Sequence, residues 1–196
     1  PPDTPFDGHP LKLWCDFTVR DAKSGEIENQ IAFGSKSWLI AFIRLMRGDF
    51  NLTNDAGVID ITNTSRTMTT NANKFTVTAA LGVLTTGIIA GTGVTAVASA
   101  DYAIQTVIAH GTGAGQLSYA AQVIGVAGIS GTNSQFAFSR ALSNGSAGSI
   151  TVTELAVYVV NNTFNFAIIR DIVPGGGVAI ASGKIGTVTY TLVGAA

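Results

Sequence analysis

This sequence has few charged residues. Charged residues make up 12% of its 196 residues, about half of the roughly 25% that is usual in soluble domains. Between Phe75 and Thr153 only Asp101 and Arg140 are charged. A soluble monomer normally keeps a charged surface of mixed sign, so we expect much of this surface to contact protein rather than water. The alternative is a secreted domain that Thr, Ser and Asn side chains keep solvated.

Basic charge is not in excess either. The net charge is −1 and the isoelectric point is about 6.1. An electrostatic footprint for nucleic acid or acidic lipid requires a basic field, so the sequence predicts no nucleic-acid partner.

Histidine and cysteine are scarce, which removes most catalytic and metal chemistry. The chain has only His9, His110 and Cys15, too few for the ligands of a structural zinc site. A Ser-His-Asp triad would have to combine His110 with an acid such as Asp101, but no nucleophile-elbow motif is present. Cys15 lies in an alternating segment and is predicted to be a small buried residue. We therefore predict no enzyme, no cofactor, and no catalytic, cofactor-binding or metal-binding residues.

Proline is concentrated at the start of the chain. Four of the five prolines lie in residues 1–10, and proline fits neither a helix interior nor a central strand. We interpret residues 1–10 as an extended arm before a single domain at 11–196. An arm lying across a neighbouring subunit and plain disorder are equally compatible with the sequence.

The first part of the domain predicts a hairpin and then a helix. Apolar and polar residues alternate over 11–20, and a partner strand follows at 27–33. Apolar positions at helical spacing predict one helix at 37–47, with Ser37 as its N-cap and Gly48 as its end. Because this helix is apolar over much of its circumference, we expect it to be buried between layers or against a partner.

Residues 75–100 contain no charge, and their length matches a bilayer. Six threonines, four glycines and the alternation at 75–78 favour strands separated by glycine turns. A membrane span is the alternative.

The last third of the chain has the clearest strand pattern. Alternating apolar residues predict strands at 136–138, 150–159, 164–168 and 188–192, with turns at 143–148, 161–163 and 174–177. The alternation shifts by one residue at Thr153 and Glu154, which predicts a β-bulge there. Short strands with turns every ten residues or so predict a mainly β fold, an antiparallel β-sandwich of which a jelly roll is one form.

Three short patterns suggest a ligand or a modification, and each has a simpler explanation. His110–Gly115 is similar to a phosphate loop but lacks the Gly-Lys-Ser/Thr ending, which favours a glycine turn. Four residues could offer oxygen ligands to calcium: Asn51, Asn54, Asp55 and Asp60. Their spacing matches no EF-hand loop, so ordinary turns are favoured. Sequons occur at Asn51, Asn63, Asn144 and Asn161, as expected by chance in a chain this rich in Asn and Thr.

Three stretches of the sequence are informative when they are considered together. They are Phe-Thr-Val-Arg-Asp-Ala-Lys-Ser-Gly at 17–25; 101–119, which begins Asp-Tyr and ends His-Gly-Thr-Gly-Ala-Gly-Gln-Leu-Ser-Tyr; and 138–158, with Phe-Ser-Arg, Ile-Thr-Val-Thr-Glu and Tyr158. Together they resemble small structural proteins of tailed bacteriophages and prophages, over roughly residues 11–193. The resemblance implies a component of a virus particle or similar extracellular assembly, present in many copies and without catalytic residues.

The sequence therefore predicts a non-enzymatic structural subunit, most simply a virion protein that decorates the capsid or forms part of a tail or tube. Its partners would be copies of itself and other virion or filament proteins. The arm at 1–10 and the uncharged end Gly186–Ala196 are the segments predicted to reach a neighbour's sheet. Two alternatives are a cell-surface filament subunit joined by strand exchange and an adhesin-like module that stacks Trp14 or tyrosines on sugars.

Overall fold

Strands make up most of the chain. The computed structural model describes residues 11–35, 38–51, 54–69 and 76–194, so the predicted arm at 1–10 lies outside the described residues. The elements in chain order are β1 (Leu11–Asp21), β2 (Ile27–Ser35), α1 (Ile40–Asn51), β3 (Asp55–Ile59), β4 (Ser65–Met68), β5 (Gly87–Gly91), β6 (Ser118–Tyr119), β7 (Val123–Ile124), β8 (Gly128–Ser130), β9 (Asn133–Ser143), β10 (Ile150–Val152), β11 (Glu154–Asn161), β12 (Phe164–Ile172), β13 (Val178–Ile180) and β14 (Lys184–Gly194).

A seven-stranded antiparallel sheet forms one layer. Its order is β2-β1-β14-β9, and β6, β7 and β8 each pair with β9. The alternating apolar side chains of β1 point into the core, where Leu13, Cys15, Phe17 and Val19 are buried. The predicted hairpin of β1 and β2 is confirmed, as is the burial of Cys15.

The last strand lies in the middle of this sheet. β14 pairs with β1 from Leu11 opposite Gly194 to Asp21 opposite Lys184, and with β9 on its other side. The prediction that Gly186–Ala196 completes a neighbour's sheet is therefore wrong for residues 186–194, which complete their own. Residues 195–196 lie outside the described residues.

A three-stranded sheet in the order β12-β11-β5 forms the opposite layer. β11 is buried on both faces: Val157 packs into the main core, and Tyr158 packs into a smaller core with Ile89 and Ile104. The predicted mainly β, sandwich-like fold with one helix is confirmed. The sheets of the described chain have seven, three, two and two strands. Because a jelly roll has eight strands in two sheets, sandwich is the term that applies.

The apolar pattern shifts at Thr153 because the strand changes partners there. β10 pairs with β13, whereas β11 pairs with β12 and β5. Between them, the Thr153 N–H donates to the Gly91 carbonyl, and the Thr153 carbonyl accepts the Val173 N–H. The predicted bulge at 153–154 is wrong. In this hairpin the ladder shifts at Val157 and Tyr158 instead.

The helix exists but lies further along the chain than predicted. α1 runs from Ile40 to Asn51, so it starts three residues after Ser37 and continues through Gly48. A glycine costs about 1 kcal/mol in a helix interior, and tertiary packing offsets that cost. Phe42 and Leu45 are buried in the main core, as expected for a helix between layers. Ser37, the predicted cap, lies outside the described residues.

Residues 76–100 form less regular structure than predicted. β5 is the strand of this stretch, and Thr76 adds one isolated bridge to Val160. All five residues of β5 are buried, so its sequence shows no alternation. Among the described residues, no helix has the length and apolar character to cross a membrane.

Arg140 holds part of this irregular chain against the sandwich. Its side chain points inward from β9, and only 1% of the residue is exposed. The guanidinium lies over the Tyr119 ring and donates five hydrogen bonds of 2.7–3.4 Å to backbone carbonyls: those of Ala80, Val83, Thr86, Ile88 and Ala120. Burial lowers the pKa of Arg140, but arginine keeps its charge in proteins. One buried cation therefore fixes two separate segments.

A buried ion pair holds the loop at 92–108 against β11 and β12. Glu154, at the start of β11, is fully buried and accepts the Nε–H of Arg170 at 2.5 Å. Its oxygens also accept backbone N–H groups of three loop residues, Gly93, Gln105 and Thr106. Arg170 donates a second hydrogen bond to Asp101 at 2.7 Å. The loop at 92–108 is thus attached to β11 and β12 through the buried charges of Glu154 and Arg170.

Replacing Arg140 tests this attachment. Arg140→Met keeps much of the side-chain volume but leaves buried carbonyls without donors, so we expect it to lower the free energy of unfolding by about 3–5 kcal/mol. Urea denaturation measures the change. The control is Arg47→Met at an exposed position on α1, where we expect a loss below about 1 kcal/mol. Equal losses in the two variants would contradict the role of Arg140.

Candidate functional site

The exposed residues within 76–153, called the neutral surface below, present no free charge to solvent. Both charged side chains of this range have partners within the molecule, although the Asp101 side chain is 28% exposed. Arg140 donates to backbone carbonyls, and Asp101 pairs with Arg170. The surface is therefore more nearly uncharged than the sequence alone indicates.

The neutral surface is also where apolar side chains are exposed. Twelve large apolar residues of the described chain are exposed. Eight of them belong to this surface: Leu81, Val94, Tyr102, Val107, Val123, Ile124, Val126 and Ile129. The last four lie within residues 123–129, called the aliphatic edge, at one side of the large sheet. Val126 is 94% exposed and Ile129 84%. Contiguous exposed apolar residues mark protein contact sites.

An apolar groove opens beside the aliphatic edge. It has a volume of about 510 Å³ and lies between the large sheet and the layer that contains α1 and β12. Its lining includes Leu11 and Leu192 from the sheet, Phe42 and Met46 from α1, and Ile124 and Phe136 near the edge. Because Ile124 belongs to both features, the groove and the aliphatic edge form one continuous apolar region.

Exposed ion pairs lie elsewhere, at the β1–β2 hairpin and around α1. Lys184 from β14 contacts Asp21 and Glu28, and its hydrogen bond lowers the pKa of the Asp21 carboxyl. Arg47 lies 3.4 Å from Asp55. These exposed ion pairs are thus formed by residues outside 76–153.

The glycine loop His110–Gly115 is closed by its own hydrogen bonds. The Gly111 N–H donates to the Leu117 carbonyl, and the Gly113 N–H donates to the Gln116 side chain. The loop leads into β6, a strand, whereas a phosphate loop leads into a helix. The turn interpretation accounts for this loop, and the N–H groups of Gly111 and Gly113 already have acceptors.

The residues considered for a catalytic pair have separate partners. The Nδ1 atom of His110 accepts the Tyr119 N–H at 3.1 Å. Asp101 accepts the Ala98 N–H at 2.8 Å and the Arg170 guanidinium at 2.7 Å. Each side chain therefore supports the local fold. His9 lies outside the described residues.

Of the four residues considered for calcium, Asp55 and Asp60 form turns and ion pairs. Asp60 accepts hydrogen bonds from Thr62, from the Thr64 N–H and from Arg66. Burial opposes ionisation of Asp60, but the hydrogen bonds from Thr62 and Arg66 outweigh it and lower the pKa to about 2. Asp55 faces Arg47. Because an arginine balances each carboxylate, turn and ion-pair chemistry accounts for both.

Two of the four sequon asparagines are buried. The Asn144 side chain donates to the Ile180 carbonyl at 2.7 Å, and the Asn161 side chain donates to the Thr69 carbonyl at 3.1 Å. Asn63 has a φ of 60° in a turn. The side chain of Asn51 lies outside the described part. Asn144 and Asn161 therefore fix loops from inside the fold.

A buried carboxylate links the two layers. Asp171 on β12 accepts the Tyr190 hydroxyl at 2.9 Å and the Ser35 hydroxyl at 3.0 Å. Burial, followed by the charge of Asp171, raises the pKa of the neighbouring Cys15 thiol. Cys15 is consequently an unreactive core residue.

The sequence did not single out the aliphatic edge or the groove. The only local signal was the uncharged Val-Ile-Gly-Val-Ala-Gly-Ile run at 123–129. The groove brings together residues from distant parts of the chain, such as Leu11 and Leu192. No local sequence pattern indicates that such residues are close in space.

Comparison with known proteins gives no relative: no protein-family model, no curated protein and no solved structure matches the chain. The resemblance to phage structural proteins stays a prediction.

The acid dependence of Asp60 is testable. Its folded pKa of about 2 lies below the unfolded value of about 4, so the carboxylate stabilises the fold above about pH 4 and loses this effect as the pH falls towards 2. We expect Asp60→Asn to lower the free energy of unfolding at neutral pH by on the order of 2 kcal/mol. Urea denaturation across the acid range should show the difference from the unmodified chain shrinking. Glu26→Gln, at an exposed acid, is the control; a pH-independent effect of Asp60→Asn would contradict the assignment.

Proposed function

We propose that the chain is a non-enzymatic structural subunit of a multi-copy assembly, of the kind found in the virions of tailed bacteriophages, and that it acts by self-association. The neutral surface carries this proposal. Its two charged side chains have partners within the molecule, while eight large apolar side chains remain exposed. A surface of this composition is suited to contact with protein.

The energetics favour many weak contacts over one tight contact. Burial of a Val or Ile side chain contributes about 1.5–3 kcal/mol, so the four residues of the aliphatic edge supply roughly 6–12 kcal/mol at most. Association costs an estimated 4–15 kcal/mol. The aliphatic edge alone therefore gives a weak contact, and an assembly gains strength by repeating it in many copies.

The groove supplies the second half of such a contact. Val126 projects almost fully into solvent, and the neighbouring hollow has a volume of about 510 Å³ and an apolar lining. A head-to-tail contact between identical copies requires two complementary surfaces on each molecule. The projecting Val126 and the apolar groove are such a pair.

The two alternative functions have less support. Strand exchange through the C-terminal end conflicts with the position of residues 184–194 inside their own sheet. Sugar stacking needs exposed aromatic rings. Tyr119, Tyr158 and Tyr190 are buried and Trp14 is half-buried, which leaves Tyr102, 37% exposed, as a single candidate ring among these residues. Self-association in a virion or similar extracellular assembly, with other virion proteins as further partners and no nucleic acid, is the proposal that fits best.

Charge placed on the aliphatic edge should prevent assembly. Val126→Lys and Ile129→Lys replace side chains that are 94% and 84% exposed, so neither should disturb the folded monomer. We expect both to reduce the fraction of large particles in sedimentation velocity and in electron micrographs of the purified chain, because a lysine at a protein contact must lose its hydration.

The matched control is Ile43→Lys, since Ile43 is 52% exposed but lies on α1, outside the neutral surface. It should assemble like the unmodified chain. If the unmodified chain remains a monomer at all concentrations and joins no particle, the proposed function is wrong. If Ile43→Lys disrupts assembly as strongly as Val126→Lys, the neutral surface is not the contact.

A further inference from the structure

The chain covers both edges of its three-stranded sheet. Along β12, the Leu39 N–H donates to the Ile168 carbonyl at 2.9 Å. Along β5, the Ile108 N–H donates to the Ala90 carbonyl at 3.0 Å. Covering an edge with other parts of the chain prevents it from pairing with another molecule.

The outer edge of β2, in contrast, is not covered by the described residues. This strand is the outermost of the large sheet, with β1 on one side. On its other side, no backbone group of the described residues forms a hydrogen bond with it. At nine residues it is longer than the usual strand of about 5–6 residues. A long uncovered edge is a template for pairing with a further chain.

Features that discourage strand pairing are confined to one end of β2. Glu28 is the extra residue of the bulge opposite Val19 and Arg20, and its carboxylate is bonded to Lys184. Bulges and charges both protect sheet edges. Residues 29–35 have neither: their sequence is Asn-Gln-Ile-Ala-Phe-Gly-Ser, and they pair with β1 without interruption.

We propose that residues 29–35 of β2 pair with the same residues of a second copy, antiparallel about a two-fold axis at Ala32. This inference rests on the proposed self-association and names one contact within it. The large sheets of two molecules then become one continuous sheet. Such an isologous contact closes after two copies, so the neutral surface remains available for further growth.

The sequence of β2 is self-complementary in this register. The opposed pairs are Asn29 with Ser35, Gln30 with Gly34, Ile31 with Phe33, and Ala32 with itself. No like charges meet, which would destabilise a cross-strand pair. Ile31 and Phe33 are partly buried against the core, and the opposing Phe33 and Ile31 would cover their remaining exposed surface.

A second copy fits this edge better than the arm of the chain does. Four of the ten residues at 1–10 are prolines, and each lacks the N–H that a ladder of hydrogen bonds requires. The uncharged, self-complementary 29–35 segment has a donor at every position.

A disulfide across the proposed axis tests the register. Directly opposed residues of antiparallel strands have Cα atoms about 4.5–5.5 Å apart, within the range of about 4.4–6.8 Å that a disulfide spans. We expect Ala32→Cys to form a covalent dimer under mild oxidation, seen as a band of twice the chain mass on non-reducing gels. The native Cys15 does not interfere because it is fully buried.

Gln30→Cys is the matched control, since Gln30 is also exposed on β2 but would lie opposite Gly34 rather than its own copy. We expect little or no covalent dimer from it, and dimer again from the double variant Gln30→Cys with Gly34→Cys. Equal cross-linking of the two single variants, or none in Ala32→Cys while the chain still assembles, would overturn the β2 contact and leave the proposed function intact. A chain that is monomeric throughout would overturn both.

A second variant separates pairing from folding. Ala32 lies opposite Asp16 on β1, so Ala32→Lys places a cation beside an acid within the monomer and should leave its stability unchanged. In the dimer the same change places two lysines opposite each other, which is unfavourable. We expect the dimer to dissociate at higher concentrations in sedimentation equilibrium. Unchanged dimerisation of a folded Ala32→Lys variant would contradict the proposal.

Discussion

The hydrogen bonds of one buried guanidinium shape the surface of this molecule. Arg140 donates to five carbonyls in the segments around residues 80–88 and 120, and these carbonyls would otherwise need water or another donor. The irregular chain is thereby ordered without exposing a charge. Asp101, the other charge of the region, is used against Arg170. The same interactions that fix the loops therefore make the exterior neutral.

The two layers of the sandwich differ in how they end. The three-stranded sheet is covered along β12 and β5 by neighbouring segments. The seven-stranded sheet ends in β2 on one side and in the short strands β6–β8, with the aliphatic edge, on the other. The exposed ion pairs of Lys184 with Asp21 and Glu28 lie at the hairpin end of β2. Residues 29–35 of β2 and the aliphatic edge carry no charge, so both suit lateral contacts between copies.

Strands with one buried face could be predicted from the sequence, because alternation reports that face directly. β1, β9 and β14 were found in this way. β12 was predicted from the same alternation, although six consecutive residues of it are buried. β5 was obscured because both of its faces are buried, and β6–β8 are too short to show a period. The change of partner at Thr153 and the burial of Arg140 depend on segments distant in sequence. The candidate surface was predicted as a region without charge, but its groove and aliphatic edge required the fold.

We propose that sister molecules cover the neutral surface. Photochemical carbene labelling followed by peptide mass spectrometry measures the solvent exposure of aliphatic side chains in dilute and in concentrated samples. We expect labelling of Val126 and Ile129 to fall as the concentration rises, while labelling of Ile43 on α1 stays constant. Full labelling of Val126 and Ile129 in the assembled state would contradict the proposed contact.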